Sequence, residues 1–135
     1  MKKTVALCLL AFLSTVTFIR IDYANARNIG DPIKLGCGKN ATTLTSRSQN
    51  VTYQGKIVTL SLEMRSSRKC QARWVRAFVP KDTQLYFKDK RGNKYVSYTA
   101  QVHGQNYTDA ENSSVSLQAC AKHPRASQEW CTEFY

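Results

Sequence analysis

The chain has 135 residues, and 20 Lys and Arg against 9 Asp and Glu give a formal charge of +11. Six Gly and three Pro without a repeat exclude a collagen-like or low-complexity chain, and the length suits one small domain. A field this positive favours anionic polymers and surfaces such as nucleic acid, teichoic acid, acidic polysaccharide or phospholipid, without choosing among them; solubility alone is the competing explanation of the charge.

The N-terminus carries the pattern of an export signal. Lys2 and Lys3 precede an apolar run from Val5 to Ile19, and Ala24-Asn25-Ala26 supplies the small-x-small pattern for cleavage before Arg27. The run falls short of the roughly 20 residues that span a bilayer. Arg20 and Asp22 leave a retained amphipathic anchor as the competing reading. Cys8 lacks the small residue before it that a lipoprotein signal requires, so it is expected to leave with the leader. Residues 1–26 are therefore expected to be a signal peptide. Residues 27–135 are expected to form a single β domain, secreted or periplasmic, monomeric and without a transmembrane helix. This part keeps 17 Lys and Arg against 8 acids, a formal +9.

Four cysteines remain: Cys37, Cys70, Cys120 and Cys131. An even number in a small exported domain indicates two disulfides. Of three connectivities, Cys37–Cys70 with Cys120–Cys131 is favoured because each pair closes a self-contained loop. Such loops stabilise by about 3–4 and about 3 kcal/mol. Zinc prefers tighter pairs, so neither a metal nor another cofactor is expected.

No segment of the mature region sustains helical periodicity. Residues 40–46 suggest a short strand or a capped turn. Residues 56–65 alternate cleanly, with Val58, Leu60, Leu62 and Met64 on one face and Thr59, Ser61, Glu63 and Arg65 on the other, as in a half-buried antiparallel strand. The run CQARWVRAF (70–78) alternates with both faces more than half apolar. It is expected to be a strand buried on both sides, with Trp74 a core anchor beside the Cys70 disulfide. Arg73 and Arg76 are expected to bury their stems and leave their heads in water. Residues 83–102 form a hairpin turning at Lys90-Arg91-Gly92-Asn93, with Val96, Tyr98, Ala100 and Val102 sharing a face. Residues 114–121 supply a last strand with Val115, Leu117 and Ala119 in step, followed by a polar loop to Cys131. The fold class is all-β: a small disulfide-stapled antiparallel sandwich or partly open barrel.

Asp31-Pro32, Gly36-Cys37, Ala41-Thr42, Arg65 with Ser67, and the run Cys70, Ala72, Trp74, Arg76 together resemble the YjfA-like family of exported bacterial proteins. Gln118-Ala119-Cys120-Ala121 followed by Cys131 resembles that family's C-terminal end. The resemblance implies an exported, disulfide-stapled, non-modular domain and supports Cys37–Cys70. It brings no established activity, the family being a domain of unknown function. Members often carry a further cysteine pair just before the Asp-Pro, which Arg27-Asn28-Ile29-Gly30 lacks.

Catalytic patterns are scarce. No Gly-x-Ser-x-Gly elbow, phosphate loop or His-Glu-x-x-His occurs. His103 and His123 read as satisfied or solvated side chains. A ribonuclease-like arrangement needs Glu63 as base, His103 as acid and Arg65 or Arg73 against the phosphorane. Asp109 and Glu111, expected in a loop, are too close in sequence for a glycosidase pair. Asn40, Asn50, Asn106 and Asn112 open Asn-x-Ser/Thr sequences that read as turn chemistry.

The stronger signal is cationic. Arg65, Arg68, Lys69, Arg73, Arg76 and Lys81 occur with no acid between Glu63 and Asp82, and Lys88, Lys90, Arg91 and Lys94 surround the hairpin turn. Tyr86, Tyr95, Tyr98 and Tyr107 add stacking and hydrogen-bonding surface. The expected role is a non-catalytic module binding an anionic envelope or extracellular polymer through Arg65, Arg68, Lys69, Arg73, Arg76, Lys88, Lys90 and Arg91. The alternatives are the ribonuclease-like enzyme and a secreted effector or inhibitor acting on a protein.

Overall fold

Period-two alternation folds the chain into ten strands, with no helix among the described residues. The computed structural model describes residues 28–135; the expected leader and its cleavage point before Arg27 lie outside the described residues. The larger sheet contains β1 (Asn28–Gly30), β2 (Thr42–Tyr53), β3 (Lys56–Ser67), β4 (Ala72–Val79), β7 (Gly104–Tyr107) and β8 (Ala110–Glu111). Its order is β1-β8-β4-β3-β2, with β7 also pairing β4. The smaller sheet contains β5 (Gln84–Asp89), β6 (Lys94–Thr99), β9 (Leu117–Lys122) and β10 (Trp130–Cys131), ordered β10-β9-β5-β6. All pairings are antiparallel, and the sheets pack as an open sandwich not closed into a barrel.

The inner face of β3 meets the expectation: Leu60, Leu62 and Met64 are buried and Val58 is partly buried. Val75, Ala77 and Val79 join them from β4, and Leu85, Phe87, Leu117 and Ala119 close the core from the other sheet. The opposite face of β4 is covered only in its first half, since Arg76 is half-buried and Phe78 is 41% exposed, which corrects the expectation of burial on both sides along the run. Trp74 is 3% exposed and packs with Cys37, Ala72 and Ala110 in a second cluster that includes Cys70. Both disulfides have the favoured connectivity, Cys37–Cys70 and Cys120–Cys131. The run at 70–78 is therefore architecture: one strand serving two hydrophobic clusters.

Other expectations are corrected. β2 runs for 12 residues rather than ending near residue 46. The return strand of the hairpin stops at Thr99, and Val102 is 54% exposed instead of sharing the core face. Ala100 N still donates to Thr83 O, but Gln101 N turns to Asn106 Oδ1, so the chain leaves the sheet before Val102. The β5–β6 register shifts between Leu85 and Phe87, and Val96 takes φ +51°, which a β-branched residue adopts only under tertiary constraint. Beyond Ala100 the chain crosses back to the larger sheet as β7 and β8, so Glu111 lies in a strand and is fully buried, not in a loop. Pro80 has no N–H to continue β4, and the chain leaves the sheet there.

Candidate functional site

Two short loops build the basic end of the sandwich. In the first, Asp31 Oδ1 accepts hydrogen bonds from Ile33 N and Lys34 N, and Cys37 N donates to Pro32 O. Gly36 allows the tight turn at φ +73°, which brings Cys37 inward and leaves Lys39 exposed just beyond it. In the second, Ser67 Oγ accepts from Cys70 N, and Gln71 N donates to Arg68 O. That turn sends Arg68 and Lys69 into solvent between β3 and β4. The Cys37–Cys70 disulfide, with its Cα atoms 5.7 Å apart, clamps the two loops together.

The result is a cleft of about 350 Å³ with Lys39, Arg68 and Lys69 in its walls beside Thr42, Ser66 and Asn40. Thr42, Ser66, Ser67 and Arg68 also line a neighbouring cavity of about 590 Å³, whose walls include Arg73, Glu111 and Tyr135. The hairpin tip belongs to the same end. Lys90 Nζ lies 5.9 Å from the centroid of the Phe134 ring, one residue before Tyr135 in that wall. Tyr135 is held by paired backbone hydrogen bonds to Leu117.

The expected eight cations differ in exposure. Arg68, Lys69, Lys90 and Arg91 are exposed. Arg65, Arg73, Arg76 and Lys88 are half-buried, and each bonds within the fold. Arg73 Nε donates to Glu111 Oε1 at 2.5 Å, and its two Nη atoms donate to Val115 O at 2.8 Å, Ser113 O at 3.1 Å and Tyr135 O at 3.3 Å. Its side chain is 13% exposed and that of Glu111 0%, so the expectation that its head lies in water is corrected. Arg76 pairs with Glu63 at 2.7 Å. Lys88 pairs with Glu129, which also accepts from the Tyr86 hydroxyl. Arg65 donates to Ala41 O at 2.8 Å and to Thr43 Oγ1, tying β3 to the start of β2. Burial, then the nearby Arg76 cation, lowers its pKa, and the Glu63 carboxylate partly opposes them.

At the hairpin tip, Asp89 accepts from Arg91 N, Asn93 N, Asn93 Nδ2 and the Tyr95 hydroxyl. The Asn93 side chain foremost, with Tyr95 and the two backbone amides, lowers its pKa to about 2 against a smaller opposing effect of burial. The same hydrogen bond raises the Tyr95 pKa. Asp89 thus remains ionised while its oxygens face the turn, and Lys94 Nζ stands 4.3 Å from the centroid of the Tyr86 ring.

Comparison with family models, curated proteins and solved structures finds no match.

Of the ribonuclease-like set, Glu63 and Arg65 share one face of β3, and Arg73 does not join them. Strict alternation in β4 puts Arg73 on the face opposite Arg76 and its partner Glu63. His103 stacks on Tyr53 with ring centroids 4.8 Å apart and meets the Phe78 ring edge-on. His123 Nδ1 accepts from Arg125 N. Cys120, Cys131 and Glu129 lie within metal-ligand distance of one another, but both sulfurs are in the disulfide. Asn106 is buried, donating to Val102 O and Gly104 O and accepting from Gln101 N, which is the turn chemistry expected of it. Lys39 is the site residue that sequence reading missed. Its place two residues after Cys37 carries the signal once the Cys37–Cys70 pairing is known.

Proposed function

We propose that the domain is a non-catalytic module that binds an anionic polymer with repeated phosphate or carboxylate groups at the end formed by Lys39, Arg68 and Lys69. The observation that carries this reading is the disulfide clamp. It holds the backbones of two separate loops around one cleft, so only the side chains of these cations must be ordered when they engage a ligand. Thr42 and Ser66 add hydroxyl donors suited to anionic oxygens. Lys90 and Arg91, on the same end, extend the track for a ligand longer than one repeat.

An exported setting accords with the two disulfides, which persist in oxidising compartments. No helix among the described residues is long and apolar enough to cross a membrane. The resemblance to the YjfA-like family points the same way. The test is binding of the domain to teichoic acid, an acidic polysaccharide, anionic vesicles and single-stranded nucleic acid across a salt series. Polymer binding at this end predicts affinity that falls steeply with salt and is lost in Arg68→Glu/Lys69→Glu. A flat response across all four ligands would remove the proposal.

A further inference from the structure

The longest strands leave an edge without a neighbour. Among the described residues β2 pairs only with β3, over 12 residues whose side chains are mostly exposed. A bulge near Thr43 and Thr45 interrupts one end, but Ser46 to Tyr53 keep unbroken register with β3. That stretch spans about 26 Å. Natural edge strands are usually shielded by Lys, Pro or bulges. From Ser46 to Tyr53 there is no Pro, Lys or acid, and the one charge, Arg47, donates across the sandwich seam to Cys131 O at 3.1 Å.

A cavity of about 280 Å³ opens beside this edge. Gln49, Val51 and Thr52 of β2 form one wall, and Leu60, Ala121 and Trp130 continue it across the two sheets. Trp130 is 8% exposed, and its indole Nε1 has no hydrogen-bond partner. A buried donor without an acceptor is costly to leave so. Arg125 stands in the same wall.

We propose that β2 is a docking edge for an extended acidic polypeptide segment, which adds as a further antiparallel or parallel strand and inserts one apolar side chain into the Trp130 cavity. Main-chain hydrogen bonds to the open edge supply affinity, and the cavity supplies selectivity. Acidic side chains on the incoming strand complement Arg47, Arg125 and the net positive charge. An acceptor oxygen beside the inserted side chain satisfies the Trp130 indole. This site is separate from the Lys39–Arg68–Lys69 end, and its success or failure does not depend on that reading.

The experiment selects binders of the purified domain from a displayed library of ten-residue peptides, then resynthesises them with single backbone N-methyl groups. Strand addition predicts an alternating pattern, in which methylation at every second residue weakens binding by at least about tenfold and the residues between tolerate it. Two variants, Ser48→Pro and Gln49→Pro, accompany the scan. Adjacent strand residues aim their N–H groups to opposite sides, so one of the two removes an outward donor and leaves the β3 ladder whole. That variant should lose the peptides, while Arg68→Glu/Lys69→Glu should hold their affinity within about threefold. Trp130→Phe should weaken peptides carrying the acceptor and spare those without it. The proposal is overturned if no peptide is enriched, if N-methylation has no alternating effect, or if binding survives the proline block. It is also overturned if the free protein forms a dimer that the same proline abolishes, which would assign the edge to a second copy.

Discussion

Replacing Glu111 with alanine should be among the most damaging single changes in this protein. Glu111 is fully buried and accepts three hydrogen bonds: from Arg73 Nε at 2.5 Å, Ser113 N at 2.7 Å and Ser113 Oγ at 2.6 Å. Its loss strands the Arg73 guanidinium, 13% exposed, among backbone carbonyls alone. An exposed ion pair contributes at most about 1 kcal/mol. Breaking a buried one by removing a single partner costs about 3–5 kcal/mol, because the surviving charge is left uncompensated. For a domain of this size that lowers Tm by about 12 °C or more. Arg73→Met should cost less, since the Glu111 carboxylate keeps its two Ser113 hydrogen bonds. The double variant Arg73→Met/Glu111→Leu should recover most of the loss, leaving a coupling of about 2 kcal/mol or more in the cycle. Urea unfolding with intact disulfides, followed by tryptophan fluorescence, measures all three. Single variants that each cost under about 1 kcal/mol would refute the reasoning and return Arg73 to the exposed cations.

The Asp89 turn predicts an acid transition. Its folded pKa of about 2 lies below the ordinary carboxylate value of 3.8, so its contribution to stability is present above pH ~4 and is lost as pH falls through about 2. Thermal melts between pH 5 and 1.5 should show that loss, reduced in Asp89→Asn. At the other extreme, burial of Tyr86 raises its pKa, so stability should fall as pH rises beyond ~10, with a smaller alkaline loss in Tyr86→Phe. Removing the Cys37–Cys70 bridge, which joins residues 33 apart, should cost about 3.7 kcal/mol, and the Cys120–Cys131 bridge, 11 apart, about 2.8 kcal/mol, read as shifts in urea midpoint. Trp74→Ala should cost about 3–5 kcal/mol by the same assay, since the residue holds the second cluster together.

Strands with a full alternating apolar face were legible in the sequence, and a mostly polar edge strand was not. β3 announces itself through Leu60, Leu62 and Met64, whereas β2 offers the core only Leu44 and Val51 among Thr, Ser, Gln and Asn. β8 is invisible for the opposite reason: it is two residues long, and its buried Glu111 looks like a loop acid until Arg73 is placed against it. The charge run was legible as a signal but not as a site. Composition counts Arg73, Arg76 and Lys88 alike with Arg68 and Lys69, and only pairing through Glu111, Glu63 and Glu129 separates fold from surface. Those three acids come from 13 to 41 residues away from their partners, a range over which spacing carries no information.

The central claim is that the disulfide-clamped cations, and not the total charge, form the binding end. The direct measurement is affinity for a single-stranded oligonucleotide, used as a phosphate polymer, across a salt series for the wild-type domain and two triple variants. The first, Lys39→Gln/Arg68→Gln/Lys69→Gln, should weaken binding and reduce the slope of log K against log salt by about 2. The second, Lys56→Gln/Lys81→Gln/Lys122→Gln, removes the same charge elsewhere and should leave the slope within about 0.5 of wild type. Equal losses in the two variants would contradict the claim and reduce the basic surface to a diffuse field.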